Sequence, residues 1–142
     1  MKNIHKLAAI DIGSNAVRLL ITSIRINKPD TKFKKISLVR VPLRLGEDVF
    51  SKGKISDKKL KKLQKTLKAF KILMQMHEVY MFKAVATSAM REAENSTKII
   101  EDIFKKLNIK IDLISGKKEA LMIANVFLNS MDNLAKNYLY VD

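Results

Sequence analysis

The stretch "AAIDIGSNAVRLLI", from Ala8 to Ile21, decides how the first part of this chain folds. Two apolar runs are separated by a short polar segment that begins at Asp11 and continues as "GSN". The runs predict a buried strand over 7–12 and a second, partly alternating strand over 16–26, joined as a hairpin. A strand that only fills a core needs no carboxylate, hydroxyl and amide at its end, so this end is a candidate binding site.

The remaining chain alternates between predicted strands and helices. After a turn at "NKPDTK", alternation of apolar and basic residues predicts a third strand over 35–46, in which Pro42 favours an edge position or a bulge. Further strands are predicted over 79–87 and 109–115, and a last one in "NYLYVD". The order βββαβαβα predicts an α/β fold with a mixed sheet of about five strands and crossover helices.

Two helices have clear apolar stripes and predicted caps. The first is capped by Ser56 and buries Leu60, Leu63, Leu67, Phe70 and Met74. The second is capped by Ser96 and turns Ile99, Ile100, Ile103, Phe104 and Leu107 inward. The lysines at 58, 59, 61, 62, 65, 68 and 71 occupy the other faces of the first helix. We interpret them as a solvated face in preference to a specific anion groove.

The composition indicates a globular protein with an excess of positive charge. Hydrophobic residues make up 47% of the 142 residues, which argues against disorder. Lys and Arg total 28 against 14 acidic residues, a formal charge of +14, which favours polyanionic partners or reflects only a lysine-rich composition. Aromatic residues are sparse at 6%, so a stacking platform for single-stranded nucleic acid is not supported and no specific nucleic acid is expected.

The sequence predicts a cytoplasmic protein with no membrane association. It contains no cysteine, which excludes disulfides and thiolate metal sites and fits a reducing compartment. The apolar run near the N-terminus is interrupted by Asp11 and is too short for a signal peptide, and no run is long enough for a membrane span.

Polar side chains follow three predicted strands, at the ends where open α/β sheets bind their ligands. The first end carries Asp11, Gly13, Ser14 and Asn15; the second carries Thr87, Ser88 and Arg91; the third carries Ser115, Gly116 and Glu119. Glycine with positive φ, hydroxyls, helix N-termini and an arginine all suit an oxyanion such as phosphate. A carboxylate near a phosphate acts instead as a base on water or as a ligand for a cation.

Each of these residues also has an ordinary structural interpretation. "GSN" is a common hairpin turn, Thr87 and Ser115 are common N-caps, and Glu119 is favourably placed against a helix dipole. Asp11 is harder to explain in this way, because a buried carboxylate is costly without a partner. The functional interpretation rests on the coincidence of all three strand ends.

At these residues the sequence resembles a known family. "AAIDIGSNAVRLLI", "LRLGEDVFSKGKIS", "ATSAMREAEN" and "IDLISGKKEALMIANVF" are similar to successive N-terminal motifs of the exopolyphosphatase and guanosine pentaphosphate phosphatase family. The resemblance implies a ribonuclease H-like lobe of the actin, hexokinase and Hsp70 ATPase superfamily. It implies release of terminal phosphate from inorganic polyphosphate, guanosine pentaphosphate or both. Of these two substrates, the positive charge of the chain mildly favours polyphosphate.

The resemblance also implies a role for each candidate residue. Glu119 is expected to be the general base on water, and Arg91 with Ser88 to hold the substrate phosphate. The first phosphate loop is expected to contain Gly13, Ser14 and Asn15. Magnesium is expected near Asp11 and Asp142. Members often carry an acidic pair where this chain has Lys118 and Glu119, but the glutamate before the alanine is kept.

The chain ends at Asp142, where the glycine-rich second phosphate loop of the family should follow. We therefore predict that residues 1–134 form the N-terminal lobe of a two-lobe enzyme, that 135–142 begin the second lobe, and that the fragment alone is inactive. We expect that absence of the partner lobe exposes apolar surface, which would favour a homo-oligomer.

Two alternatives remain open at the level of sequence. One is a small-molecule kinase of the same superfamily, which an ATP requirement would favour. The other is a non-catalytic basic module that binds polyanions, which salt-sensitive binding without hydrolysis would favour.

Overall fold

The computed structural model describes residues 4–25 and 33–129, with side chains described as far as Met122. Its elements are β1 (Ile4–Ile12), β2 (Ala16–Arg25), β3 (Lys34–Pro42), α1 (Leu45–Lys52), α2 (Asp57–Met76), β4 (Met81–Ala86), α3 (Ser88–Glu92), α4 (Ser96–Leu107), β5 (Ile111–Leu113) and α5 (Gly116–Asn129). The strand predicted over 135–142 lies outside the described residues.

The strands form one mixed sheet in the order β3-β2-β1-β4-β5. β1 pairs antiparallel with β2, and β2 pairs antiparallel with β3. β4 pairs in parallel with both β1 and β5, so the carboxyl ends of β1, β4 and β5 lie along the same edge of the sheet. Pro42 is the last residue of the edge strand β3, as its missing N–H predicts.

The core lies on one face of the sheet, because buried residues alternate with more exposed ones over 8–12 in β1 and 17–21 in β2. Ile10 and Ile12 are fully buried, whereas Asp11 between them belongs to the opposite face. Helix α2 contributes most of its predicted stripe to this core through Leu63, Leu67, Phe70 and Met74, with Leu60 packed partly against it. Each such side chain contributes about 1.5–3 kcal/mol when fully buried.

Helix α4 packs on the same face, but its stripe is narrower than predicted. Ile99 and Ile103 are buried, Ile100 and Leu107 pack partly against the core, and Phe104 is 50% exposed. The predicted cap is also wrong: Ser96 is the first helical residue, and Asn95 precedes it without a side-chain cap. The Asn95 amide instead pairs with both backbone groups of Ile55, at 3.1 Å and 2.9 Å.

The predicted third strand is too long, because its last part turns into α1. Leu43 and Leu45 are both buried and continue the apolar alternation that suggested a strand. Arg44 between them has a left-handed backbone with φ of 51°, which turns the chain away from β3. Helix α2, by contrast, begins as predicted, since the Ser56 hydroxyl accepts a 3.4 Å hydrogen bond from the N–H of Lys59.

Within the described ranges, no helix combines the length and apolar character needed to cross a membrane.

Candidate active site

The turn between β1 and β2 forms the first predicted phosphate loop. The Gly13 N–H donates a 3.0 Å hydrogen bond to the Ala16 carbonyl oxygen, which closes the hairpin. Gly13 does not use the positive φ that glycine permits: among the described glycines only Gly53 has one. Glycine relieves crowding instead, because a Cβ at position 13 would lie 3.1 Å from the Ala16 oxygen, closer than an ordinary van der Waals contact.

Ser14 connects this loop to the end of β4. Its Oγ lies 2.6 Å from Oγ of Ser88 and also accepts a 3.2 Å hydrogen bond from the N–H of Ala89. Thr87 precedes α3 without a side-chain hydrogen bond to the helix. The N-terminal cap of α3 is therefore supplied by Ser14, from a different strand, and the predicted capping role of Thr87 is wrong.

Helix α1 packs against the same loop through backbone hydrogen bonds. The Arg44 N–H donates to the carbonyl oxygen of Asn15 at 2.8 Å, and the Gly46 N–H donates to that of Ser14 at 2.9 Å. A Cβ at Gly46 would meet the Phe50 ring at 2.8 Å and Cβ of Ser14 at 3.1 Å, so glycine allows α1 to approach the loop more closely than a larger residue would.

A cavity of about 660 Å³ opens between the loop and α1. It is lined by Ser14, Asn15, Arg44, Gly46, Glu47, Phe50 and Ser51. Arg44 and Gly46 were not predicted as part of the site, although both stand in the quoted motif "LRLGEDVFSKGKIS". Among the described residues, Arg91 and Glu119 do not line this cavity.

Arg91 connects the end of β4 to the end of β5. Its Nη1 donates a 2.8 Å hydrogen bond to the carbonyl oxygen of Ile114. Its Nη2 lies 3.9 Å from the position a Cβ would take at Gly116, the first residue of α5. The Ile114 carbonyl thus fixes one nitrogen of the guanidinium. The other guanidinium N–H groups lie near the start of α5.

Glu119 lies half-buried in the first turn of α5. The helix begins with two hydrogen bonds to Ser115: the Glu119 N–H donates to its carbonyl oxygen at 2.9 Å, and the Lys118 N–H donates to its hydroxyl at 3.2 Å. The capping role predicted for Ser115 is confirmed. A carboxylate in this turn is stabilised by the positive end of the helix dipole.

Asp11 has the partner that its cost of burial requires. It stands opposite Arg18 in the β1–β2 ladder, and its Oδ2 lies 3.5 Å from Nη1 of Arg18. Burial nevertheless raises the pKa of Asp11 above its ordinary value, and the charge of Arg18 offsets this only in part. Asp142, its predicted companion in metal binding, lies outside the described residues.

The structure therefore brings the three predicted strand ends together through two contacts. The Ser14–Ser88 hydrogen bond joins β1 to β4, and the Arg91–Ile114 hydrogen bond joins β4 to β5. The arrangement can present hydroxyls, an amide and a guanidinium to an anion. The roles of the individual residues in substrate binding and catalysis remain predictions.

A family model described as the Ppx/GppA phosphatase family matches residues 24–142. Exopolyphosphatase 1 of Mycobacterium tuberculosis is 30% identical over 115 residues, which cover 81% of this chain and 33% of that protein. A bifunctional 3-dehydroquinate synthase/phosphatase of Fusobacterium nucleatum is 31% identical over 143 residues, 99% of this chain and 22% of that protein. The chain thus spans about a fifth to a third of the length of these relatives.

Solved structures agree with this relationship. A crystal structure of the Aquifex aeolicus Ppx/GppA family member superimposes with a TM-score of 0.75 at 30% identity, covering 82% of this chain and 37% of that chain. An exopolyphosphatase from Cytophaga hutchinsonii gives a TM-score of 0.76 at 30% identity, covering 83% and 36%. The predicted fold class, an actin-like α/β lobe, is confirmed. Together these matches show that the chain belongs to the Ppx/GppA phosphatase family.

Proposed function

We propose that this chain is the N-terminal lobe of an exopolyphosphatase-type phosphohydrolase. The complete enzyme releases the terminal phosphate of inorganic polyphosphate, of guanosine pentaphosphate, or of both. Membership in a phosphatase family supports hydrolysis of a phosphoric anhydride. The main support for the proposal is that two hydrogen bonds, Ser14–Ser88 and Arg91–Ile114, hold the three strand ends together.

The hydrogen bonds around Ser14 suggest which hydroxyl reaches the substrate. Ser14 Oγ accepts from the N–H of Ala89, and either hydroxyl of the Ser14–Ser88 pair could donate to the other; we propose that Ser14 donates to Ser88. Ser88 Oγ then accepts that hydrogen bond, and its proton is left to donate to a phosphate oxygen. In this arrangement Ser14 orients Ser88, and the exposed Asn15 adds an amide donor.

Arg91 supplies the permanent positive charge. The Ile114 carbonyl fixes one of its nitrogens, so little side-chain freedom is lost when the remaining N–H groups bind phosphate. Charge and orientation provide most of the acceleration in phosphoryl transfer, because little other chemistry is required of the protein.

Glu119 is proposed as the general base. It accepts a proton from the attacking water while the water oxygen bonds to the terminal phosphorus and the bridging P–O bond breaks in line. The leaving phosphate chain takes the electron pair of the broken bond. The half-buried position of Glu119, next to the helix start that Arg91 contacts, supports this role.

The complete enzyme is proposed to use magnesium. Residues 4–25 and 33–129 contain no group of three His, Cys, Asp or Glu side chains suited to a metal ion. Mg²⁺ commonly keeps several waters and binds one or two carboxylates together with substrate phosphates, so the single carboxylate of Asp11 fits such a site, with Asp142 as a second proposed ligand. When bound, the ion would offset negative charge on the terminal phosphates.

The test is phosphate release by the complete enzyme carrying Glu119→Gln. With long-chain polyphosphate and with guanosine pentaphosphate as separate substrates, turnover should fall by about 100-fold or more while binding is retained. Lys118→Gln, which changes the exposed neighbouring residue, serves as the matched control and should remain active. Near-normal turnover by the Glu119→Gln variant would overturn the assignment, and a requirement for ATP would favour a kinase.

The 142-residue chain by itself should release no phosphate, because it supplies one side of a two-lobe cleft. Magnesium-dependent hydrolysis by the isolated chain would contradict this part of the proposal. We assign the second side to a second lobe on the basis that this chain covers only 33% of a relative and 37% of a solved structure.

A further inference from the structure

Helix α2 carries a row of lysines that does not stabilise the helix. Seven of its 20 residues are lysine, and its single acidic residue is Asp57 at the first position. Lysines three or four residues apart, such as Lys61 and Lys65, are neighbours on the helix surface. Like charges at this spacing destabilise a helix by about 0.2–0.5 kcal/mol per pair. A row of such pairs is a cost that a bound polyanion would remove.

Two of these lysines have protein partners. Lys59 forms ion pairs with Glu47 at 3.1 Å and with Asp48 at 3.3 Å, and Lys71 donates a 2.8 Å hydrogen bond to the Leu107 carbonyl oxygen. Lys61, Lys65 and Lys68 are exposed and take part in none of the ion pairs found among residues 4–25 and 33–129.

These three lysines form one wall of a groove between α2 and α4. The groove has a volume of about 270 Å³ and is lined by Lys61, Gln64, Lys65, Lys68, Lys106 and Leu107. The three α2 lysines lie at i, i+4 and i+7, on one face and over about 10 Å of helix axis. Lys106 adds a fourth cation from α4, which the sequence periodicity of α2 alone does not reveal.

The side chains that line the groove favour some classes of polyanion over others. It contains no carboxylate and no arginine, and ammonium groups bind phosphate as point charges without a fixed orientation. It contains no aromatic side chain on which a base could stack, which disfavours single-stranded nucleic acid. A flexible chain of phosphates without bases matches this surface best.

The groove and the proposed active site lie on different sides of α2 and share no lining residue. Lys59, two residues before Lys61, hydrogen-bonds the carbonyl oxygen of Arg44, a residue that lines the cavity beside Ser14. Residues two apart point about 200° away from each other on a helix, so a phosphate chain held at the cavity has to pass around α2 to reach the groove, which only a long chain can do.

We propose that the groove between α2 and α4, defined by Lys61, Lys65, Lys68 and Lys106, binds the distal part of an inorganic polyphosphate chain. This proposal rests on the proposed function for the identity of the ligand. It adds a second site that holds long chains by charge, separate from the residues that contact the terminal phosphate.

The test compares two triple variants of the complete protein, each in a Glu119→Gln background so that binding is measured without turnover. The first is Lys61→Gln, Lys65→Gln and Lys68→Gln, since glutamine retains good helix propensity. The control is Lys34→Gln, Lys35→Gln and Arg40→Gln, which removes the same charge from exposed positions of β3 that take part in none of the ion pairs among the described residues. Titrations use long-chain polyphosphate, tripolyphosphate, single-stranded RNA, and vesicles of phosphatidylserine and phosphatidylcholine, at several salt concentrations.

The groove variant should bind long-chain polyphosphate about tenfold more weakly, with a reduced salt dependence, and should bind tripolyphosphate as before. The sheet variant should lose much less affinity for the long chain. Unchanged affinity of the groove variant, or equal losses for long and short chains, would overturn the proposal. Lysine-dependent binding of RNA or vesicles that exceeds binding of polyphosphate would also overturn it. If the complete wild-type protein hydrolysed neither polyphosphate nor guanosine pentaphosphate, that result would contradict the proposed function. The binding result for the groove would still stand.

Discussion

The hydroxyls of Ser14 and Ser88 lie 2.6 Å apart although 74 residues separate them in the chain. They meet because β1 and β4 are parallel neighbours, with Ile12 opposite Ala86 at their carboxyl ends. Ser14 also caps α3 through the N–H of Ala89. A residue of the first hairpin thus determines where the helix carrying Arg91 begins.

Replacement of Ser14 by alanine should destabilise the fold more than replacement of Ser88. Ser14→Ala removes both the hydroxyl pair and the cap, and should lower the free energy of unfolding by about 1–2 kcal/mol. Ser88→Ala leaves the cap in place and should cost about 0.5–1 kcal/mol. Urea denaturation of both variants and of the double variant measures the coupling. Equal costs, or strictly additive ones, would contradict the shared hydrogen bond.

Arg91→Lys separates phosphate binding from structural support. Lysine keeps the charge but loses the planar fork, so kcat/KM of the complete enzyme should fall by about 10- to 100-fold while the free energy of unfolding changes by less than about 1 kcal/mol. Steady-state kinetics and thermal denaturation of the same preparation provide the measurement. If Arg91 only supports the end of β5, stability should fall and kcat/KM should stay near the wild-type value.

Asp48 should make stability depend on pH in the acid range. Hydrogen bonding from Ser56, whose N–H donates to its Oδ2 at 3.0 Å, and the nearby Lys59 ammonium lower the pKa of Asp48 from 3.8 to about 2. Between these values the unfolded chain binds more protons than the folded one, so stability is fully present above about pH 4 and is lost as the pH falls through about 2. Asp48→Asn should reduce the melting temperature at pH 7, and the difference from wild type should shrink toward pH 2. A constant difference across this range would exclude the charge as its cause.

Asp11 should show the opposite dependence. Its pKa is raised by burial, so the folded chain binds more protons than the unfolded one just above the ordinary value of 3.8. Its ionised form therefore disfavours folding at neutral pH, and this penalty is relieved as the pH falls. Asp11→Asn should raise the melting temperature at pH 7 and have less effect near pH 3. A lower melting temperature at pH 7 would show that the attraction to Arg18 outweighs the cost of burial. If Asp11→Asn raises the melting temperature as expected, it should also weaken the activity of the complete enzyme, because Asp11 is proposed to bind metal.

A substitution at Gly46 tests the contact between α1 and the proposed phosphate loop. A Cβ at this position would lie 3.1 Å from Cβ of Ser14 and 2.8 Å from the exposed ring of Phe50. The ring can move, but Ser14 is held by its hydrogen bonds, so Gly46→Ala should displace the loop. We expect phosphate affinity to fall by about tenfold, with only a small change in stability because alanine favours the helix. Gly53→Ala, at a glycine with φ of 73°, should show the reverse pattern of lower stability and unchanged affinity.

Periodicity and local chemistry were sufficient for much of the fold. The alternation around Ile10 and the stripe through Leu63 and Phe70 required burial on one face, whatever the rest of the chain does. Ser56 could be recognised as a cap because its hydrogen bond closes within three residues. Helix α1 was not predicted, because Leu43 and Leu45 continue the alternation of β3. Arg44 between them is not a residue type that predicts a left-handed backbone.

The sequence by itself determined most of the secondary structure, the family and which strand ends carry polar groups, because these depend on residues close together in the chain. Only the tertiary structure decided the partners: Ser14 with Ser88, Arg91 with the Ile114 carbonyl, and the lysines of α2 with Lys106. These contacts depend on the strand order and on the packing of α2 beside α4. A hydrogen bond or a charge cluster acts over a few ångströms, and which distant residues come within that range is decided by packing of the whole chain, not by its local pattern.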